Sequence, residues 1–234
     1  MIRLVVHGAR GRMGRRICSL AHDDERFQVV AAIDRADASD SKIAASVPWD
    51  VVVDFSSPRG AEQAARLAVQ HSAALLVGTT GLSRRNLDVL DDAARSVPVM
   101  IAPNTSLGVA VLNHLATEAA RLLGSDFDVD IVERHHVGKR DAPSGTALRL
   151  ADLLHKKSGV EIGPGRIHSI RAGDVIGEHA VNFAGPGQCI KISHSVTTRD
   201  VFALGALRVA AWLRGRAPGR YSVEQALGVI GEPE

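Results

Sequence analysis

The segment richest in reactive side chains reads Glu133-Arg-His-His-Val-Gly-Lys-Arg-Asp-Ala-Pro-Ser-Gly-Thr-Ala147. A histidine exchanges protons near neutral pH, and a lysine supplies a fixed positive charge. The pattern predicts a strand that ends at His135 and His136, a loop that carries Lys139, and a helix that Ser144 opens. A helix start attracts carboxylates because its backbone amides and the positive end of the helix dipole point outward. We therefore predict a site for a dicarboxylate substrate, with a histidine as proton donor.

Two other interpretations of this segment remain open at this point. Ser144 could serve only as an N-cap, with both histidines as ordinary residues at a strand end. A metal-dependent hydrolase could bind zinc through His135 and His136. Adjacent histidines, however, project to opposite faces of a strand, and no third ligand has suitable spacing. We therefore expect no bound metal.

A glycine-rich turn, His7-Gly-Ala-Arg-Gly-Arg-Met-Gly14, is the second chemical feature of the sequence. Such glycines let the backbone approach a pyrophosphate, and the next helix points its amides at that anion. Asp34 lies where a carboxylate would bind ribose hydroxyls, and Arg35 could accommodate the 2′-phosphate of NADP. We therefore expect NADH, NADPH or both as cofactor. The alternative is a turn that binds nothing, with Arg35 as a solvated loop charge.

Alternating strands and helices must position this turn. Short apolar runs predict five buried strands at 2–6, 29–33, 51–55, 75–77 and 97–102, with intervening helices that begin near Gly14, Ser57 and Ser83. This alternation predicts an α/β domain, with an open parallel sheet and helices on both faces. The turns at 78–81 and 102–105 follow two of these strands and could hold the nicotinamide end of a dinucleotide, although each is also common turn chemistry.

The pattern changes after residue 106. Helices are predicted at 106–123 and 144–157, and strands at 129–132, 167–170, 178–183 and 189–193, with a hairpin turn at 185–187. A helix at 201–213 and a short one near Ser222 complete the chain. We therefore expect the second half to form an α+β domain with a mixed or antiparallel sheet.

Composition excludes several classes of protein. The chain has 234 residues, of which 45% are hydrophobic and 23% charged, as in an ordinary folded protein. A net charge of +2 and only 3% aromatic residues argue against nucleic acid as a partner. No apolar run is long enough to cross a bilayer, so we expect no membrane partner. Two cysteines and the lack of a signal-peptide pattern favour a cytoplasmic protein.

The segment from Glu133 to Ala147 resembles the signature of the dihydrodipicolinate reductase family, also called the 4-hydroxy-tetrahydrodipicolinate reductase family. Further matching segments lie at 8–14, 53–58, 77–81, 102–104, 177–179 and 199–206. The resemblance thus spans nearly the whole chain in the family's order. It implies an NAD(P)H-dependent oxidoreductase of diaminopimelate and lysine biosynthesis, which reduces 4-hydroxy-tetrahydrodipicolinate to tetrahydrodipicolinate.

The resemblance also implies domain bounds, an assembly and residue roles. It implies a Rossmann-like dinucleotide-binding domain of residues 1–106 and 200–234, a substrate-binding and oligomerisation domain of residues 107–199, and a homotetramer. His135 matches the family's proton donor and Lys139 its catalytic lysine, whereas His136, Gly145 and Thr146 match positions that bind the substrate carboxylates. The matching cofactor positions are Gly8, Ala9, Arg10, Gly11, Arg12, Met13, Asp34, Arg35, Gly78, Thr79, Thr80, Ala102, Pro103, Asn104 and Thr105.

Two departures from the family pattern concern the cofactor. Only 16 residues separate Asp34 from Val51, where relatives usually carry a longer segment. Thr105 stands where many relatives have phenylalanine or another apolar residue. The short segment motivates an alternative function, a non-catalytic binding protein of the same fold that responds to NAD(P).

Overall fold

The computed structural model describes residues 1–34 and 47–228, and the chain divides into two compact units. The first unit comprises Met1–Leu107 and Asp200–Glu234, and the second comprises Gly108–Arg199. In chain order the strands are β1 (Ile2–His7), β2 (Phe27–Ile33), β3 (Val51–Asp54), β4 (Ala74–Val77), β5 (Pro98–Ile101), β6 (Asp128–His135), β7 (Ile167–Arg171), β8 (Gly177–Gly185), β9 (Gln188–Val196) and β10 (Gly219–Tyr221). The helices are α1 (Arg12–His22), α2 (Pro58–Gln70), α3 (Arg84–Ala94), α4 (Leu107–Leu123), α5 (Gly145–Ser158), α6 (Asp200–Leu213) and α7 (Val223–Ala226).

The first unit contains a parallel sheet of six strands in the order β2-β1-β3-β4-β5-β10. The chain leaves β1 toward β2 on one side and returns to β3 on the other side, so the direction of winding reverses between β1 and β3. In open parallel sheets, ligands bind outside the carboxyl ends of the strands at such a reversal. The topology thus places a ligand crevice beside the turn that follows β1.

Both faces of this sheet are covered by helices. Helices α2 and α3 pack on the face that carries Val5, Val52 and Leu75. Helix α6 packs against β3, β4 and β5 and also against α1. Ser57 accepts a hydrogen bond from the Gly60 amide, so it caps α2 as the sequence predicts, with Pro58 in the first turn. Ser83 caps α3 through a capping box with Asn86.

The expected α/β unit is confirmed, and each of the five predicted strands begins and ends within two residues of the observed strand. The prediction missed β10, which adds a sixth strand beside β5. This strand has three residues, and its sequence Gly219-Arg-Tyr221 has no apolar run. Its position depends on pairing with a strand more than a hundred residues earlier, which local sequence does not reveal.

The second unit contains a four-stranded sheet in the order β7-β6-β8-β9. Strand β6 pairs parallel with β7 and antiparallel with β8, and β8 forms a hairpin with β9 across the predicted turn. The predicted mixed sheet is therefore confirmed. Apolar residues of α4 and α5 pack on one face of this sheet, where the core contains Leu112, Leu150, Ile131, Val181 and Phe183. No helix in the described part of the chain is long and apolar enough to cross a membrane.

Candidate active site

The inward face of β6 changes from apolar to polar along the strand. Val129, Ile131, Glu133 and His135 alternate along the strand, so they share the face covered by α4 and α5, and all four are buried. Val129 and Ile131 belong to the core, whereas Glu133 and His135 bring a carboxylate and an imidazole to its end. The apolar run predicted a strand at 129–132, and the observed strand extends through His135 because the alternation continues in polar residues.

Glu133 is fully buried and bonds to groups from three places in the chain. One oxygen contacts Nδ1 of His135 directly. The guanidinium of Arg171 on β7 donates to both oxygens, at 2.8 Å to Oε1 and 3.0 Å to Oε2. The backbone amide of Ser144 donates to Oε1 at 3.2 Å. A buried charge with this many donors is fully compensated, and a two-pronged arginine contact also fixes its orientation.

These contacts shift the protonation of the whole cluster. Burial alone would raise the pKa of Glu133, but hydrogen bonds from Arg171 and its other donors lower that pKa to about 2. Burial lowers the pKa of His135, and the adjacent Glu133 opposes this change. Burial also lowers the pKa of His179 to about 4. His179 lies on β8, and its ring is edge-on to that of His135. At neutral pH the cluster therefore holds an ionised Glu133 and a neutral His179.

The start of α5 lies against this cluster. Ser144 accepts a hydrogen bond from the Ala147 amide through Oγ, which confirms the predicted N-cap. The same hydroxyl lies 3.0 Å from Nε2 of His179. Gly145 and Thr146 form the exposed to half-buried first turn of the helix. The first turn of an α-helix carries the positive end of the helix dipole, which makes this turn a suitable place for a carboxylate.

The loop after β6 carries the other two predicted substrate residues. His136 follows the strand directly, and the Lys139 amide donates to its carbonyl oxygen at 3.1 Å. The Lys139 ammonium bonds to the Asp141 carboxylate at 2.8 Å and is largely covered. Arg171 also donates to the Asp141 carbonyl oxygen at 2.6 Å, so it ties this loop to Glu133. The predicted segment thus forms one connected polar cluster in the second unit.

The first unit contains a separate cleft of about 740 Å³ at the carboxyl ends of β1, β2 and β3. Its lining includes residues from the end of these strands or from the turn after them, among them His7, Gly8, Gly11, Asp34 and Ser56. Three predicted cofactor residues, Gly8, Gly11 and Asp34, therefore line one cleft at the reversal of the sheet. This position and size suit the adenosine end of a dinucleotide.

The turn after β1 needs glycine for two distinct reasons. Gly8 has φ of +81°, and a Cβ there would lie 2.5 Å from the Phe55 carbonyl oxygen. A Cβ at Gly14 would lie 2.2 Å from the Gly8 oxygen, so this glycine lets α1 pack on the turn. The Asp34 carboxylate accepts a hydrogen bond from the Arg10 amide at 3.0 Å, which links the end of β2 to the turn. Ala9, Arg12 and Met13 complete this turn and the start of α1, and Arg35 lies outside the described residues.

The other predicted cofactor residues follow β4 and β5 at the same edge of the sheet. Gly78 and Thr79 are buried, and Thr80 is exposed. The Thr79 hydroxyl donates to Asp54 at 2.6 Å, so that side chain holds neighbouring loops together. In the turn after β5, Ala102 is buried, Pro103 exposed and Asn104 half-buried. Thr105 is buried, and its hydroxyl donates to the Phe202 carbonyl oxygen at 2.6 Å.

Sequence reasoning missed a buried polar network beneath the cleft. Asp54 at the end of β3 is fully buried and contacts Nδ1 of His7 at 2.8 Å, Oγ of Ser56 at 2.5 Å and Oγ1 of Thr79 at 2.6 Å. These partners come from the ends or turns of β1, β3 and β4. The available signal was an acidic residue at the end of a strand predicted to be buried on both faces, where a charge requires partners.

The described residues offer no cluster of three or more histidine, cysteine, aspartate or glutamate side chains placed to hold a metal ion. Glu133 bonds to both His135 and Arg171, as described above. Their arrangement suits proton transfer next to an anion site.

Comparison with known proteins shows the family of this chain. The family model "Dihydrodipicolinate reductase, N-terminus" matches residues 2–105, and "Dihydrodipicolinate reductase, C-terminus" matches residues 108–227. The chain belongs to the dihydrodipicolinate reductase family. It is 44% identical over 238 residues to 4-hydroxy-tetrahydrodipicolinate reductase of Stenotrophomonas maltophilia (strain R551-3), covering 97% of this chain and 98% of the relative. It is also 38% identical to the reductase of Caldanaerobacter subterraneus subsp. tengcongensis, covering 96% and 97%.

Solved structures extend the same comparison. A dipicolinate-bound dihydrodipicolinate reductase from Paenisporosarcina sp. TG-14 superposes with a TM-score of 0.81 at 25% identity, covering 95% of this chain and 97% of that one. An engineered D-amino acid dehydrogenase bound to NADP+ shares only the fold, with a TM-score of 0.56 at 15% identity. The predicted membership of the dihydrodipicolinate reductase family is therefore confirmed.

Proposed function

We propose that this protein reduces 4-hydroxy-tetrahydrodipicolinate to tetrahydrodipicolinate with NADH or NADPH, in the diaminopimelate route to lysine. The observation that carries the proposal is the 44% identity to a 4-hydroxy-tetrahydrodipicolinate reductase along 97% of this chain. The cleft in the first unit and the start of α5 in the second unit support the proposal, because the first would suit a dinucleotide and the second a carboxylate.

The first unit would bind the cofactor in the cleft at the ends of β1, β2 and β3. Asp34 lines this cleft and would accept hydrogen bonds from ribose hydroxyls. The turn from Gly8 to Met13 leads into the start of α1, which would stabilise a pyrophosphate. The turns at 78–80 and 102–105 lie at the same edge of the sheet and would hold the nicotinamide end. The bound cofactor supplies a hydride.

The second unit would bind the substrate. The amides of Gly145 and Thr146 would hold one carboxylate at the start of α5, with His136 and Lys139 providing further hydrogen bonds and positive charge. Lys139 already bonds to Asp141, so a substrate carboxylate would compete with that side chain for the ammonium. Fixed contacts of this kind would orient the ring for reduction.

His135 would supply the proton that completes the reduction. The hydride leaves electron density on the conjugated ring, and a nearby acid must protonate it. Nδ1 of His135 is occupied by Glu133, so Nε2 would take up a proton from solvent and pass that proton to the substrate ring. Replacement of His135 by glutamine should therefore lower turnover by roughly 10²- to 10⁴-fold, the usual contribution of a general acid.

A coupled assay tests the proposal. Pyruvate, aspartate semialdehyde and the preceding synthase generate the substrate, and cofactor oxidation is followed by absorbance after this protein is added. We expect oxidation that requires every component, and the rates with NADH and NADPH would measure cofactor preference. Binding of cofactor without oxidation, beside an active synthase, would instead support the non-catalytic binding protein.

We also propose a homotetramer, on the basis of the family resemblance. Light scattering coupled to size-exclusion chromatography tests this directly. A mass near four times 24.8 kDa is expected, and a monomer mass at micromolar concentration would contradict it.

A further inference from the structure

The polar end of β6 belongs to two rows of residues that run across the four-stranded sheet. In one row Glu133 pairs with Ser169 on β7 and His179 on β8. In the next row on the same face, two residues further along β6, His135 pairs with Arg171 on β7. Glu133 thus lies one row deeper in the sheet than His135, on the same face, and beside the arginine that holds it. The pairing register of β6, β7 and β8 therefore builds this cluster.

The contacts of Glu133 determine which ring nitrogen of His135 carries a proton. With its pKa lowered to about 2, Glu133 is ionised at neutral pH and can only accept hydrogen bonds. Nδ1 of His135, in contact with this carboxylate, must therefore be the donor. In the neutral ring, Nε2 then has a lone pair, and it is the nitrogen that gains and loses a proton.

Glycine at position 177 leaves space beside Nε2 of His135. Gly177 on β8 lies beside it, and a Cβ at this position would lie only 3.3 Å from Nε2. The φ of Gly177 is not among the positive values of this chain, so its backbone does not itself require glycine. Space beside the histidine is therefore the physical reason for a glycine here.

We propose that Glu133 is a positioning residue, whose carboxylate fixes the His135 ring with its proton on Nδ1 and directs Nε2 toward the substrate. The Ser144 amide and Arg171 hold the Glu133 carboxylate in place. Because Ser144 caps α5, the carboxylate also links His135 to the start of that helix. The inference rests on the proposed function, because it assigns a role to a neighbour of the proposed proton donor.

The charges around His135 set the expected direction of a pH effect. Glu133 on its own strand raises its pKa, whereas Lys139 in the following loop and Arg171 on β7 lower it. His179 on β8 faces it edge-on. Removal of the Glu133 charge should therefore lower the pKa of His135 further and move the limb of the rate profile that reports His135 toward lower pH.

The test compares Glu133→Gln with wild type in the coupled assay at several pH values. We expect turnover to fall by about 10²-fold, the effect of misplacing a reacting group by about an ångström, and KM for the substrate to change little. The same limb should move to lower pH. Arg171→Lys keeps the charge but loses the two-pronged contact, so it should show a smaller loss in the same direction. Unchanged turnover and profile in Glu133→Gln would overturn the proposal.

Glu178→Gln serves as the matched control. Glu178 lies on β8 next to this cluster, and its only ion pair in the described chain is a long one to Arg134, at 3.8 Å. Its removal should leave turnover and the pH profile as in wild type. A loss equal to that of Glu133→Gln would attribute the effect to general damage of the sheet and would overturn the assignment.

A measurement without turnover separates this inference from the proposed function. Nitrogen-15 NMR of histidine-labelled protein reports which ring nitrogen is protonated, and the His135→Gln spectrum assigns the signal. We expect protonated Nδ1 and unprotonated Nε2 for His135 in wild type, and a loss of that preference in Glu133→Gln. A proton on Nε2 in wild type would overturn the inference even if the enzyme is active. A wild type that fails to oxidise cofactor would instead contradict the proposed function, and the NMR result would still decide the role of Glu133.

Discussion

Lowering the pH should decrease the free energy of unfolding of the second unit, because it protonates the carboxylate of Glu133. Its pKa falls from an ordinary value of 4.5 to about 2 on folding, in spite of full burial, because Arg171 and its other donors bond to the charged form. A group whose pKa is lower in the folded state stabilises that state at pH values above the unfolded pKa. Protonation removes the stabilisation as the pH falls from about 4.5 toward 2.

The size of this contribution follows from the two pKa values. A shift of one pKa unit corresponds to about 1.4 kcal/mol. The shift of the Glu133 pKa from 4.5 to about 2 therefore contributes about 3 kcal/mol to the free energy of unfolding at neutral pH. By the same relation, about 2 kcal/mol of this would already be lost at pH 3. Glu133→Gln lacks the ionisable group and should lack this part of the pH dependence.

Urea unfolding at pH 7, 5, 4 and 3 measures the effect. Both tryptophans, Trp49 and Trp212, belong to the first unit, so far-UV circular dichroism is needed to follow the second. The stability difference between wild type and Glu133→Gln should shrink by about 2 kcal/mol between pH 7 and pH 3. The partly exposed Glu178 should behave differently, and Glu178→Gln should stay within about 1 kcal/mol of wild type throughout. A difference between wild type and Glu133→Gln that is constant with pH would refute the reasoning.

Three further changes test the rest of the structure. Gly8→Ala places a Cβ 2.5 Å from a carbonyl oxygen in a residue with positive φ, so it should abolish NADH binding in a fluorescence titration. Gly215→Ala is the control, because Gly215 also has positive φ but a Cβ there has no neighbour within 4 Å, and it should leave NADH binding unchanged. Thr105→Val removes the donor to the Phe202 carbonyl oxygen and should destabilise the first unit by about 1–3 kcal/mol in urea unfolding followed by tryptophan fluorescence, with Thr105→Ser closer to wild type. Lys139→Met should raise KM and lower turnover together in the coupled assay, and a variant with neither change would remove Lys139 from the proposed site.

Local sequence was sufficient for most of the fold. The mainly apolar runs of β1, β3 and β4 predict strands covered on both faces, and the caps at Ser57 and Ser83 locate the starts of α2 and α3. These signals work because each depends on residues within a few positions of one another. Strand β10 shows where they fail, since its three residues acquire their structure only by pairing with β5.

The candidate site was predicted less completely, for the same physical reason. The loop residues from His135 to Thr146 are consecutive, so their proximity follows from the chain itself. Arg171 lies 38 residues after Glu133, and only the register of β6 with β7 brings its guanidinium to that carboxylate. No local pattern distinguishes this arginine from the other basic residues of the chain.

Glu133, however, could have been recognised from the alternation of β6. Val129 and Ile131 establish the buried face of the strand, and residues 133 and 135 continue it. A glutamate that the alternation turns inward must be neutralised or paired, because an isolated buried charge is too unfavourable. If the next inward residue is a histidine, that histidine is the nearest partner, and its ring is fixed by the contact. An inward acidic residue two positions before a suspected proton donor therefore predicts how that donor is held, before any strand register is known.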